Sequence, residues 1–300
     1  MKITIGSRTS ALALWQSRHI VDALQAAWPG LECAIEPFVT QGDKTLDRPL
    51  PEIGGKGLFT LELENGLREG RIDLAVHSLK DLPVDDAPGL TLGAIVGRAD
   101  VRDVLVAKDG RTLDELPAGA VVGTSSLRRQ AQLLARRPEL TVRSIRGNVE
   151  TRIHKALHGE YDATLLAGAG VTRLGLDTNI TEWLALDVIL PAPGQGALAV
   201  QCRANDAATL HFLAAIHNGE VAQAVTAERA FLAGLGGGCS IPVAAYATVN
   251  GGTIHLSGLV AAVDGSRIVR VGGSGTSALA LGASLAEEAK SQGALALINP

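Results

Sequence analysis

The chain has 300 residues, 46% hydrophobic and 19% charged, with a formal net charge of −4. That is enough apolar material for two or three cored domains, and the charge balance excludes the basic surface that a nucleic-acid binder needs. No apolar run reaches the ~18 residues of a membrane span, and Gly6, Ser7 and Arg8 break any leader-like apolar stretch, so a soluble cytoplasmic protein is expected.

"KITIGS" reads as a strand, and "SALALWQSRHIVDALQAAW" as a helix stopped by Pro29 and Gly30. "CAIEPFVT" is a second strand. "DKTLDRPLPEIGGKG", with three glycines and two prolines, reads as a long mobile loop. "FTLELENGLREG" reads as a helix and "RIDLAVHS" as a strand. A similar order then returns: strand "AVVGTSS", helix "SLRRQAQLLARR" ending before Pro138, strand "LTVRSIRG", helix "NVETRIHKALHG", strand "YDATLLAG". In the last helix Asn148 is the N-cap, and Val149, Ile153, Ala156 and Leu157 share one face. The recurrence predicts α/β architecture with two similar lobes facing each other across a cleft. "ALAVQCRA" is a further strand. Beyond the helix "VTAERAFLAGLGG", the runs "IPVAAYATV", "TIHLSGLVAAV" and "RIVRVGGSG", separated by "NGG" and "DGS", predict a three-stranded antiparallel sheet, and "SALALGASLAEEAKSQG" a closing helix.

Three well-separated cysteines make a disulfide framework a poor fit, and no spacing suggests a metal site. Cys33 and Cys202 lie in strand-like runs and read as small buried hydrophobes. Cys239 differs. In "LGGGCSIP" three glycines precede it, letting the backbone turn sharply and something large approach. It is a nucleophile, an attachment point or a structural thiol.

Ligands of open α/β sheets bind at the carboxyl ends of the strands. Basic residues follow nearly every strand here: Arg8, Lys80, Arg128 with Arg129, Arg146 with Arg152, and Arg173. Arg128 and Arg129 fall in a helix's first turn, where the macrodipole disfavours each cation by about 0.3–1 kcal/mol. Something anionic should offset that, so the cleft is expected to take a ligand with several carboxylates or phosphates. Asp81, in "HSLKDLP", is either a helix N-cap or a carboxylate that handles a proton or stabilises positive charge. His77 reads as a packing histidine. "GGKG" lacks the GxxxxGK[ST] pattern of a nucleotide loop.

Taken together, "GSRTSALALWQ", "TQGD", "GGKGLF", "AVHSLKDLP", "VGTSSLRRQAQL", "IRGNVETR", "LPAPGQGALAVQCR" and "ERAFLAGLGGGCSIP" resemble the porphobilinogen deaminase (hydroxymethylbilane synthase) family, in the family's order from residue 3 to about residue 247. The resemblance implies two periplasmic-binding-protein-like lobes and a small α+β domain, divided as 1–98 with 194–216, 99–193, and 217–300. It implies a cytoplasmic monomer that joins four porphobilinogen molecules head to tail, with loss of ammonia, on a covalent dipyrromethane, and then releases hydroxymethylbilane by hydrolysis. Acetate and propionate arms on every pyrrole would account for the cleft's cations. By position, Cys239 would carry the dipyrromethane as a thioether and Asp81 would be catalytic. Lys80, Thr124, Ser126, Arg128, Arg129, Arg146 and Gly147 would hold the cofactor. Arg8, Ser10, Lys56, Phe59, Ser78, Arg146, Arg152, Arg173 and Gln195 would face substrate. No metal is implied.

Three positions depart from common forms of the pattern: Glu52 where some members carry lysine, Gly236 where an acidic residue often stands, and Gln201 in place of a frequent glutamate. None touches the cysteine, the aspartate or the arginine set. Two other classes stay open from the residues alone. One is a two-lobed small-anion receptor without catalysis. The other is a cysteine hydrolase drawing on His211, His217 or His255.

Overall fold

The structure is a computed structural model that describes residues 2–44, 57–238 and 241–298. The first sheet takes β1 (Lys2–Arg8), β2 (Glu32–Phe38), β3 (Leu74–Ser78) and β4 (Leu90–Arg98). The second takes β5 (Asp103–Ala107), β6 (Val121–Gly123), β7 (Thr141–Arg143), β8 (Ala163–Ala167) and β9 (Glu182–Trp183). The chain then returns to the first sheet as β10 (Ala197–Arg203).

The two sheets share one plan. Their orders are β2-β1-β3-β10-β4 and β7-β6-β8-β5-β9. In each, the first three strands run parallel and the fourth runs antiparallel to them. The fourth strand of each lobe is the one the chain supplies just after crossing over from the other lobe. The expected pair of similar lobes is present, with a repeat more complete than the short sequence matches suggested. Strands β4, β5 and β9 had not been read from the sequence. β5, "DVLVA", is buried at every position and lacks the alternation that marks a half-exposed strand.

Helices α1 (Ala11–Ala27), α2 (Leu61–Arg68), α3 (Leu127–Arg136), α4 (Val149–Leu157), α5 (Gly168–Arg173) and α6 (Ala207–Ala214) flank the lobes. Side-chain caps fix their starts: Ser10 accepts from Ala13 N at 3.3 Å, Ser126 from Arg129 N at 3.4 Å, and Asn148 from Thr151 N at 2.8 Å. Helix α1 buries Ile20 and Leu24 against Ile3, Ile5 and Leu74 of the first sheet. Leu133 of α3 packs with Leu105, Val122 and Leu165 of the second. Cys202 is fully buried in the first core, and burial lifts its thiol to about 11. Cys33 is only half-buried, so the expected burial of both cysteines holds for Cys202 alone.

The remaining chain forms α7 (Gly219–Gly234), an antiparallel sheet β11 (Val243–Asn250), β12 (Thr253–Ala261) and β13 (Ile268–Gly275), and α8 (Ala278–Ser291), as expected. Phe231 of α7 is wholly enclosed, and Gly258 makes room for it: a Cβ there would lie 2.6 Å from the ring. Among the described residues no helix is long and apolar enough to cross a membrane, and no group of three or more His, Cys, Asp or Glu is placed to hold a metal.

One buried ion pair joins the C-terminal unit to the crossover. Glu228 of α7 has no exposure and meets Arg98, at the end of β4, with two bonds of 2.7 and 3.0 Å. Its oxygens also accept from Gly194 N and Ala247 N, both at 2.7 Å. Burial raises the Glu228 carboxyl's pKa, and Arg98 opposes that shift. Breaking such a pair from one side typically costs about 3–5 kcal/mol, because the other charge stays buried and uncompensated. Glu228→Ala should therefore lower the urea midpoint by that order, as should Arg98→Leu. The double variant should lose much less than the sum. Additive losses in equilibrium unfolding would show that the two side chains act independently.

Candidate active site

The parallel strands of both lobes end at one cleft. On the first lobe, β3 runs into a single 3₁₀ turn, Leu79–Asp81. Leu79 is fully buried against Gly194, where a Cβ would lie 2.9 Å from the leucine side chain and where φ is +76°. That anchor fixes the two residues after it. Asp81 is exposed, and it ends the turn rather than capping a helix, so the N-cap reading is not what the fold uses. Among the described residues no hydrogen bond or ion pair occupies its carboxylate.

Half-buried Lys80 donates from Nζ to Gln195 Oε1 at 3.3 Å. Gln195 is itself fully buried. Its Nε2 donates to Val101 O at 2.7 Å and to Asp103 Oδ1 at 2.9 Å. Asp103, the first residue of β5, has no exposure. It meets Arg129 Nη2 at 2.7 Å and Arg128 Nη1 at 2.8 Å. Burial pushes its carboxyl up, but the two guanidinium groups outweigh this and hold it well below the usual carboxylate range. Arg129 Nη1 also donates to Leu165 O at 3.1 Å, and Arg128 Nη1 to Leu190 O at 2.7 Å.

The fold adds to one inference from the sequence. The two arginines in the first turn of α3 were expected to need an anionic ligand. Asp103 supplies one negative charge against their two. Its signal was present as a lone acid heading an otherwise apolar run.

Next to this network lie the other cations of the second lobe. Ser125 ties the ends of β6 and β7, donating to Ile145 O at 2.6 Å and accepting from Ile145 N at 3.1 Å. Beyond that tie come Arg146 and Gly147, and the Gly147 carbonyl accepts from Arg152 Nε at 2.8 Å. Burial, joined by neighbouring Arg129 and Arg146, lowers the pKa of Arg152 to about 10, against the raising effect of Asp81 on the other lobe. Asp81 thus lies within electrostatic reach of Arg152 on the second lobe and of its neighbour Lys80.

Other expected residues serve the frame or its rim. Ser10 and Ser126 are helix caps, and Thr124 Oγ1 accepts from Ser126 N at 3.2 Å. Ser78 Oγ accepts from Gln16 Nε2 at 2.8 Å. Arg8 stacks over Phe59 with its guanidinium 4.3 Å from the ring centroid. Arg173 donates to Gly196 O at 2.7 Å and lies over Trp15. Buried His77 has its pKa pushed down to about 4, chiefly by burial, which fits the packing role expected of it. His217 accepts from Ile95 N at 3.2 Å, His211 packs on Trp28, and His255 is exposed on β12.

Lys56, Glu52 and Cys239 lie outside the described residues, as does most of the expected loop 43–57. What leads to Cys239 is described. Gly236, Gly237 and Gly238 have φ of +98°, +63° and +123°, a run that L side chains resist. Gly237 rests on Val84, where a Cβ would lie 2.9 Å from the valine methyl. Arg229 of α7 donates to the carbonyls of Leu82, Pro83 and Val84 at 3.2, 2.7 and 3.3 Å. The glycine loop is therefore clasped to the segment that begins one residue after Asp81. Neither Asp103 nor Arg229 had been singled out from the sequence.

Residues 3–211 match the family domain described as "Porphobilinogen deaminase, dipyromethane cofactor binding domain", and residues 222–291 match "Porphobilinogen deaminase, C-terminal domain". A protein of Roseiflexus castenholzii named porphobilinogen deaminase is 53% identical over 298 residues, covering 99% of this chain and 98% of its own. Proteins of the same name from Syntrophotalea carbinolica and Shouchella clausii are each 50% identical, over 97% and 99% of this chain and 93% and 96% of their own.

Lys80 carries an energetic signature of the site. Burial pushes its pKa from 10.5 down to about 8; Asp81 and Asp103 act to raise it, Arg129 and Arg128 to lower it. Below about pH 8 the folded protein bears the full cost of an ammonium partly withdrawn from water. Between about 8 and 10.5 the folded state releases a proton that the unfolded state keeps, so this cost fades as pH rises. Lys80→Met should therefore raise the urea midpoint at pH 7, with an advantage that shrinks toward pH 10. A gain unchanged between these pH values would show that Lys80 bears no such penalty.

Proposed function

The chain belongs to the porphobilinogen deaminase family, and within that family's reaction we propose that Asp81 is the catalytic carboxylate and Cys239 the attachment point of the dipyrromethane. Enzymes of this family condense four porphobilinogen molecules head to tail, with loss of ammonia, on a covalent dipyrromethane and release hydroxymethylbilane by hydrolysis. The observation that carries the assignment is an exposed carboxylate, without a hydrogen bond among the described residues and within electrostatic reach of Arg152, that precedes by one residue the segment to which the loop leading to Cys239 is clasped.

The residues fit an anionic, pyrrole-sized cofactor. Among the described residues nothing beyond the chain neighbours lies within 4 Å of a Cβ built at Gly236 or Gly238, so the run leading to Cys239 is open there. Arg129 Nε is buried without an acceptor among the described residues, an orphaned donor suited to a carboxylate. Lys80, Arg128, Arg129 and Arg146 would hold its acidic arms, with Thr124, Ser126 and Gly147 shaping the loops that present them. When bound, the dipyrromethane supplies the nucleophilic pyrrole carbon to which substrate is joined.

The chain's own residues do the rest. The Asp81 carboxylate pairs with the pyrrole N–H of porphobilinogen and stabilises the positive charge that develops as the C–N bond to ammonia breaks. It then assists loss of the α-proton. Arg8, Arg146, Arg152 and Arg173 take the substrate's acetate and propionate groups, with Phe59, Ser10 and Ser78 at the rim; Lys56 is assigned to substrate by its place in the sequence alone. Gln195, being fully buried, acts by holding Lys80 rather than by touching substrate. A two-lobed receptor needs neither the carboxylate nor the thiol.

The division into 1–98 with 194–216, 99–193 and 217–300 accords with the three sheets. That the enzyme works as a cytoplasmic monomer is part of the same proposal.

Asp81→Asn keeps the shape and removes the charge; Asp81→Glu keeps the charge and moves it by one methylene. The first should cut hydroxymethylbilane formation by more than the ~10²–10⁴-fold typical of a lost general acid–base group, and the second should retain a small fraction. Circular dichroism should report native folds for both. Steady-state assays decide the matter: a folded Asp81→Asn within a few-fold of the parent enzyme would transfer the chemistry to another group.

A further inference from the structure

We propose that Asp103 is a positioning residue for the reaction, fixing Arg128 and Arg129 directly, and Lys80 through Gln195, in the orientation that receives the acidic arms of the growing pyrrole chain. The proposal rests on the reading of the site given above.

Among the described residues every polar contact of the Asp103 carboxylate is with one of these groups. Oδ1 accepts from Arg129 Nη2 at 2.7 Å and from Gln195 Nε2 at 2.9 Å, and Oδ2 faces Arg128 Nη1 at 2.8 Å. Gln195 then passes the constraint to Lys80 Nζ through its own carbonyl. The amide cannot flip without setting a donor against the ammonium and an acceptor against the carboxylate. The path also joins the lobes. Asp103, Arg128 and Arg129 lie on the second lobe, Lys80 on the first, and Gln195 on the crossing segment between them.

Charge counting gives the network its sense. One carboxylate stands against two guanidinium groups, so a single positive charge remains to attract an anion, with Lys80 adding another. Without Asp103, two adjacent buried guanidinium groups would repel each other and swing apart. Stability alone does not call for this arrangement, since replacing buried ion triads with apolar residues is often neutral or stabilising. What an apolar substitute cannot supply is the fixed direction of each guanidinium fork.

The test compares Asp103→Asn, which keeps the shape and loses the charge, with Asp103→Glu and Gln195→Met. Active sites are counted from bound dipyrromethane by intact mass and Ehrlich colour. Per loaded site, Asp103→Asn should lose about 10²-fold in kcat, the scale expected when a catalytic array is misplaced by about an ångström. Arg129→Leu, which removes one of the cations proposed to hold the acidic arms, should stall elongation, and native mass spectrometry should show the same partly elongated species accumulating in it and in Asp103→Asn. The groups facing Lys80 are Asp81, Arg128, Arg129 and Asp103. Removing the Asp103 charge should therefore move the alkaline limb of the pH profile toward lower pH. Asp103→Glu should recover part of the rate and return the limb.

A residue that merely aided folding would reduce the number of loaded sites and the urea midpoint, leaving kcat per site, the accumulated species and the alkaline limb unchanged. That result overturns the proposal. Should Asp103→Asn not fold, Gln195→Met, which leaves the carboxylate–arginine contacts in place, should still lower kcat per site and shift the alkaline limb; no change in either overturns it equally. An unmutated enzyme that made no hydroxymethylbilane would instead refute the functional reading, which separates the two failures.

Discussion

A carboxylate sealed from water between two arginines sets the geometry of this cleft. Asp103 costs desolvation energy, and it returns that energy by holding Arg128 and Arg129 at 2.8 and 2.7 Å. The backbone explains why this point matters. Asp103 opens the first strand after the chain crosses from the first lobe to the second, and Gln195 lies on the segment by which it returns, two residues before β10. The contact between them bridges the two crossing segments. Arg98 and Arg173 anchor the same region, donating to the Gln195 and Gly196 carbonyls at 3.0 and 2.7 Å. The lobes are thus braced where the chain passes between them, and the cations at the strand ends inherit their directions from that bracing.

The cleft accepts an energetic penalty that a purely structural region would avoid. Arg152, Arg173 and Lys80 all have their pKa values lowered by burial, so each holds its charge at a cost. Under the proposed function, low polarity would strengthen the pull of such groups on the two carboxylates of each pyrrole unit. Asp81, exposed and within electrostatic reach of Arg152 and Lys80, stands on a turn made rigid by buried Leu79. The C-terminal unit is tied in twice, through Glu228 to Arg98 and Gly194, and through Arg229 to residues 82–84. The second tie brings the glycine run before Cys239 to the neighbourhood of Asp81.

Much of this was legible in the sequence, and what was missed has physical causes. Period and punctuation revealed the capped helices and the strands with clear boundaries, and the motif series pointed to the family. Basic residues after strands located the cleft because strand ends converge in this architecture. Which partner each cation takes was not legible, since Asp103 and Arg129 are 26 residues apart and meet only after two strands pair. β5 escaped notice because a strand buried on both faces has no alternation, and its leading aspartate escaped with it. Ser10 and Ser126 carried both a motif and a cap, and the contacts they make are those of caps. The glycine run was suggestive in sequence, yet only the three positive φ values and the contact with Val84 explain its length.

The account's central claim is that a covalent dipyrromethane on Cys239 stands before Asp81 in this cleft. The most direct measurement is the intact mass of the purified protein, followed by peptide mapping. The polypeptide alone weighs 31.0 kDa. The account predicts a protein heavier by one dipyrromethane, with the added mass on the peptide containing Cys239 and absent from folded Cys239→Ala. Active enzyme at the bare polypeptide mass, or an adduct mapped to Cys33 or Cys202, would contradict it.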